Sequence, residues 1–132
     1  MRVRPDEHAL AAAEAVRALN HATLFAGRVD GYEWPSEVDA VTAQLGILAQ
    51  RLPQALEQAA RWLETAAEAG LVGHDKGLDG EHAAVLAAVL LRAAGAAAET
   101  MSRRLDEARQ ITSHLTGRST PQGISTGSRG SR

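Results

Sequence analysis

Apolar residues recur every three or four positions along two long stretches of the chain, the period of amphipathic helices. From Val38 the row runs through Val41, Leu45, Leu48 and Leu52, then through Leu56, Ala59, Ala60, Leu63 and Ala67 to a break at Gly70. A second row starts at Leu86 and passes Leu90, Ala93, Ala97, Met101, Leu105, Ala108 and Thr112 to Leu115. A shorter stripe at Ala9, Ala12, Val16, Leu19 and Thr23, widened by Leu10, Leu24 and Phe25, precedes both. These rows predict three helices, at about 5–26, 37–69 and 81–116.

The residues between the rows supply starts and stops. Pro5 suits a first helical turn, with Asp6 and Glu7 beside the positive end of the helix dipole. Glycine, aspartate and proline punctuate 27–35, after which Ser36 resembles an N-cap with an acid, Asp39, three residues on. Gly70 to Gly80 is a glycine-rich loop whose Asp79 caps the third helix, with Glu81 in its first turn. Pro53 removes a backbone hydrogen bond and disfavours α geometry at Leu52, at about 3 kcal/mol in a helix interior. The row keeps its phase across Pro53, so a kink is expected there rather than a corner. A short loop makes helices two and three, each about 50 Å long, an antiparallel hairpin that the first helix covers in part.

Composition thins the core of this arrangement. Hydrophobic residues make up 45% of the 132, but 27 residues are alanine and the aromatics are only Phe25, Tyr32, Trp34 and Trp62. Alanine favours helix and buries little area, so the expected fold is all-α: a long antiparallel hairpin, kinked near Pro53, bundled with a shorter N-terminal helix over residues 1–116. Small residues at Ala55, Ala59, Ala66 and Ala69, and at Ala83, Ala87, Ala94 and Ala98, permit close backbone approach. The leucine seam of Leu45, Leu48, Leu52, Leu56, Leu63, Leu86, Leu90, Met101 and Leu105 then serves as core, interface or both. A long hairpin with so little cover leaves apolar surface that a homodimer would bury. From Gly117 the text turns to glycine, serine and arginine with one large apolar residue, Ile124, which predicts a disordered basic tail over 117–132.

The formal charge of −2 divides into −5 for residues 1–116 and +3 for the tail. The absence of cysteine excludes disulfides and thiol chemistry. Thirteen arginines against one lysine, with the alanine excess, suit a GC-rich bacterial genome. Acids follow Met1-Arg2-Val3-Arg4-Pro5 where a secretory signal would be apolar, and the apolar run 83–98 contains Arg92 and is shorter than the roughly twenty residues of a membrane span. A cytoplasmic protein without a membrane span is expected.

The densest chemistry is His74-Asp75-Lys76-Gly77-Leu78-Asp79-Gly80-Glu81-His82. As a calcium loop starting at Asp75 it fails, because Gly77 falls on a ligand position and Leu86 where glutamate is needed. A zinc set of His74, Asp75, Asp79 and His82 lacks a fixed helical spacing, so the segment is expected to be a solvated loop without metal or cofactor. No nucleophile elbow, phosphate loop, dinucleotide fingerprint or His-Glu-x-x-His segment occurs, so no enzyme is expected. Tyr32 and Trp34 form the only aromatic loop and are either partner anchors or packing. The function expected is a non-enzymatic helical interaction or oligomerisation module. The alternative is a nucleic-acid-associated accessory protein whose tail arginines, Arg118, Arg129 and Arg132, meet phosphate.

Overall fold

The computed structural model describes residues 2–25 and 31–118. Three helices form: α1 (Pro5–Ala22), α2 (Pro35–Glu68) and α3 (Gly80–Thr112), with no strand among the described residues. The fold is all-α. Two compact units divide the chain, one of Met1–Val38 with Leu115–Arg132, the other Asp39–His114.

In the first unit, Pro5 opens α1, and the Glu7 carboxylate accepts from the Arg4 backbone N–H at 3.0 Å, satisfying a donor just outside the first turn. The helix ends four residues before the expected Ala26. The Thr23 hydroxyl and its backbone N–H both donate to the Leu19 carbonyl, at 2.9 and 3.0 Å, and close the last turn. No residue of α1 is buried. The start of α2 is closed by Glu37 rather than by the expected Ser36 and Asp39. Its Oε1 accepts from the backbone N–H of Trp34 at 2.6 Å and of Glu33 at 2.7 Å, and Pro35 occupies the first helical position. Asp39 is thereby left for a tertiary role.

The second unit is built on α2 and α3. Helix α2 is continuous through Pro53. The buried residues of α2 are Gly46, Ala49, Ala60, Ala66 and Ala67, and those of α3 are Gly80, Ala84, Ala88, Gly95 and Ala98. Among the described residues, no hydrophobic side chain larger than alanine is buried. The helices meet through this line. A Cβ at Gly46 would lie 3.9 Å from Leu105 Cβ, and one at Gly95 would lie 3.5 Å from Pro53 Cα. Contacts therefore pair the beginning of α2 with the end of α3 and proceed in opposite order along the two helices.

The fully buried residues of α2 and α3 are thus alanine and glycine, and the expected leucines are at most half-buried. Leu52, Leu86, Leu90 and Met101 are exposed, and Leu45, Leu48, Leu56, Leu63 and Leu105 are half-buried. Small residues let two helices approach closely, which leaves large side chains only partly covered beside the contact.

The α2–α3 connection is fixed by its glycines. Gly70 has φ +73°, its N–H donates to Ala67 O at 3.0 Å, and the Leu71 N–H donates to Ala66 O at 2.9 Å, the double hydrogen bond of a Schellman stop. At Gly80 a Cβ would fall 2.5 Å from the Val72 carbonyl oxygen, so the loop crosses the start of α3 where only glycine fits. Asp79 caps α3 as expected, its carboxylate accepting from the His82 N–H at 3.2 Å. Helix α3 stops at Thr112, short of the expected residue 116. Gly117, assigned from sequence to the tail, is buried, and residues 119–132 of that tail lie outside the described residues.

The small-residue contact predicts substitutions of opposite sign. Ala88, fully buried, has no room for growth, and Ala88→Leu is expected to cost about 1–3 kcal/mol in urea denaturation. Gly95→Ala is expected to stabilise by about 0.5–1 kcal/mol, because its methyl meets Pro53 at ordinary contact distance and the helix gains propensity. Destabilisation by Gly95→Ala would show that the axes are closer than described.

Candidate interaction surface

Three-and-four spacing from the buried residues traces the contact line within the second unit. On α2 it is Gly46, Ala49, Pro53, Leu56, Ala60, Leu63 and Ala67; on α3 it is Ala84, Ala88, Leu91, Gly95, Ala98, Ser102 and Leu105, all buried or half-buried. The residues immediately before and after each of these form the two flanks. Those preceding the α2 line are Leu45, Leu48, Leu52, Ala55, Ala59, Trp62 and Ala66, every one apolar. Those following it are Ile47, Gln50, Gln54, Glu57, Arg61, Glu64 and Glu68, polar in six of seven positions. On α3 the preceding residues are Ala83, Ala87, Leu90, Ala94, Ala97, Met101 and Arg104, apolar in six of seven positions, and the following ones are Val85, Val89, Arg92, Ala96, Glu99, Arg103 and Asp106, a mixed set. Because contacts proceed in opposite order, the two preceding flanks fall on one side of the helix pair and the two following flanks on the other.

The apolar side is open. Leu90 is 69% exposed, Trp62 67% and Met101 41%, and Ala55, Ala59, Ala94 and Ala97 between them are also exposed. Val85, Val89 and Ile47 are exposed on the other side, but neighbouring exposed apolar groups, rather than ones scattered singly, mark an association surface.

The polar side is organised by Arg92, placed by α3 in the middle of its most apolar stretch. Its guanidinium donates to both carboxylate oxygens of Glu57, at 2.8 and 2.9 Å, and to both of Glu64, at 2.6 and 2.8 Å. This is a fork between two carboxylates one α2 heptad apart. Hydrogen bonds from Arg92 hold Glu57 and Glu64 below the usual carboxylate range, and the two acids raise the arginine's own proton affinity. A cavity of about 440 Å³ lined by Pro53, Gln54, Glu57, Arg92, Gly95 and Glu99 lies beside the fork. A second clamp holds the other end of the contact. Arg109 donates to both Asp39 oxygens at 3.3 and 3.1 Å, and the Thr112 hydroxyl donates to Asp39 at 2.7 Å. Arg109 and then Thr112 depress the Asp39 carboxyl in turn.

The other candidate residues take local roles. Among the described residues no group of three or more His, Asp or Glu is arranged to hold a metal, and His74, Asp75, Asp79 and His82 do not come together as a set. His74 Nδ1 accepts from the Lys76 N–H at 3.1 Å and stands 3.5 Å from the Asp75 carboxylate, while Asp79 is engaged at the cap. Trp34 is half-buried, and its six-membered ring lies over Gly117 so closely that a Cβ there would overlap it; Tyr32 is 37% exposed. The Trp34 contact with the end of the described chain has no signal in helical periodicity. Of the basic groups near the end of α3, Arg104 is paired with Glu107 at 2.8 Å, Arg109 with Asp39, and Arg103 donates to the Thr100 hydroxyl at 3.0 Å. Arg118 is exposed, and Arg129 and Arg132 lie outside the described residues.

By length and composition alone, α3 is apolar enough to cross a membrane, with 22% of its apolar window buried. That window is 18 residues, longer than the run at 83–98. The chain matches no known protein family, no curated protein and no solved structure.

Two outcomes follow from the clamps and the ring. Asp39, Glu57 and Glu64 ionise more readily folded than unfolded, so the stability they lend is complete above the unfolded carboxylate range and lost as pH falls through their lowered values. Melting temperature is expected to stay level from about pH 7 to 5 and to fall below about pH 4, with a shallower acid limb in the Glu57→Gln/Glu64→Gln double variant. An unchanged acid limb in that variant would contradict the clamp. In a Trp62→Phe background, Gly117→Ala is expected to shift Trp34 emission to longer wavelength; an unchanged spectrum would place the ring elsewhere.

Proposed function

We propose that the chain is a non-enzymatic protein-interaction module whose working element is the apolar flank of α2 and α3. In this reading Asp39–His114 is a long antiparallel helical hairpin, bent near Pro53, that acts as a scaffold holding the flank flat. The observation that carries it is the segregation of residue type about the contact line. Every α2 residue preceding that line is apolar and nearly every one following it is polar, although a solitary hairpin would gain by exposing polar residues on both sides. The Arg92 fork supports the same reading, since a charged group tied to two acids of the neighbouring helix favours a protein surface over a lipid one for that side of α3.

The test is photocrosslinking in the cells that produce the protein, with a photoreactive residue at position 90 on the apolar flank or position 61 on the polar one. Protein adducts are expected from position 90 and not from position 61. Equal labelling from both positions, or none from position 90, overturns the proposal.

A further inference from the structure

We propose that the α2–α3 pair is built to bend as two stiff halves about a hinge line through Pro53 and Gly95. Pro53 lies inside α2 and has no N–H, so the Ala49 carbonyl one turn earlier loses its helical partner, and the proline ring crowds that same carbonyl. Gly95, deep inside α3, lowers helix preference there by about 1 kcal/mol against alanine. The two weak points face each other. A Cβ on Gly95 would stand 3.5 Å from Pro53 Cα and 3.8 Å from both the Cβ and the carbonyl oxygen of Pro53. Gly46 of α2, by contrast, faces Leu105, so a bend of α2 at that level would be opposed by a sound stretch of α3. At Pro53 and Gly95 both helices yield together, and Gly95 offers no side chain to interlock with its neighbour.

Each half carries its own clamp, and each clamp lies clear of the hinge. Toward the connecting loop, Arg92 joins α3 to Glu57 and Glu64, all three on the loop side of Pro53 and Gly95. Toward the other end, Asp39 joins Arg109 and Thr112. The clamps fix register within each half and leave the angle between the halves to the hinge. The cavity of about 440 Å³ straddles the line: Gln54, Glu57 and Arg92 line it from one half and Glu99 from the other, with Pro53 and Gly95 at the division. A swing of the halves toward the polar side takes up that space. A half of about 15 residues is about 22 Å long, so a swing of about 20° moves its far end by about 8 Å. Each half keeps its own face flat while the angle varies, so the apolar flank changes curvature as a whole, and the hinge requires no particular partner.

The full-length chain contains no cysteine, so pairs of nitroxide labels can be placed at chosen positions. Gln50→Cys/Glu68→Cys spans the hinge on α2, about 27 Å by helical rise, and Ala96→Cys/Gln110→Cys lies within one half of α3, about 21 Å. All four positions are exposed and outside both clamps. Electron–electron distance measurement is expected to give a distribution for the 50 and 68 pair about twice as broad as that for the 96 and 110 pair. Pro53→Ala, added to the 50 and 68 pair, is expected to narrow it to the width of the other, and so is Gly95→Ala, although Gly95 stands on the neighbouring helix. Both replacements favour helix, so both variants are expected to fold. A distribution for the 50 and 68 pair as narrow as that for 96 and 110 in the otherwise unaltered chain means a rigid pair and overturns the hinge. Narrowing by only one of the two variants would assign the motion to a single helix, and breadth that neither variant reduces would place it elsewhere; either result overturns a hinge shared by α2 and α3.

Discussion

The close approach of α2 and α3 governs the other features of the second unit. Leucine-lined helix pairs keep their axes apart by the width of the side chains between them. Here the buried positions of the line are glycine and alanine, with half-buried leucines between them, and Gly95 lies close against Pro53. Dispersion between many small, well-fitted groups replaces the burial of a few large ones. The leucines, on the line or beside it, stay at least partly open, and no hydrophobic side chain larger than alanine is buried among the described residues.

Closeness also explains the polar clamps. Arg92 reaches both Glu57 and Glu64 because the neighbouring helix is near, and its planar fork satisfies two carboxylates at once, which a lysine could not do. Half-exposed ion pairs add little stability in themselves. Their physical contribution is register: alanine surfaces are nearly featureless, and a contact line of small residues slides more easily than one of interlocked leucines. Arg92 at the middle and Asp39 with Arg109 and Thr112 at one end fix which residues face each other.

Much of this was legible in the sequence, and the limits have physical causes. The three helices, the Asp79 cap and the position of the connecting loop follow from period and capping chemistry, which act over a few residues. Phase followed in part: Leu56, Ala60, Leu63 and Ala67 of the expected row are buried or half-buried, whereas Leu52, Leu86 and Leu90 are exposed. The rows Leu45, Leu48, Leu52 and Leu86, Leu90 have helical spacing, but so do Gly46, Ala49 and Ala84, Ala88, displaced by one or two positions. When alanine makes up a fifth of a chain it stands on every face of a helix, so hydrophobic periodicity locates the helix without saying which side is packed. At the first half of each helix the largest residues drew the assignment, whereas the buried positions are the small ones Gly46, Ala49, Ala84 and Ala88. Asp39 shows the same limit for polar residues: its spacing from Ser36 fits a local cap, but Arg109, seventy residues away, holds it, and Glu37 closes the helix start.

A core of this kind has a consequence for association. Each alanine buried contributes far less apolar area than a leucine, so a pair of helices stabilised by alanine contacts keeps most of its large side chains at the surface. If those were spread evenly around the pair, they would be a general liability for solubility. On α2 the large ones Leu48, Leu52 and Trp62 precede the contact line, while Gln50, Gln54, Glu57, Arg61, Glu64 and Glu68 follow it with Ile47; on α3 Leu90 and Met101 precede the line and Val85 and Val89 follow it. Helix pairing and surface polarity are thus linked most clearly on α2, where buried small residues face α3, the residues before the contact line are apolar and those after it are mostly polar.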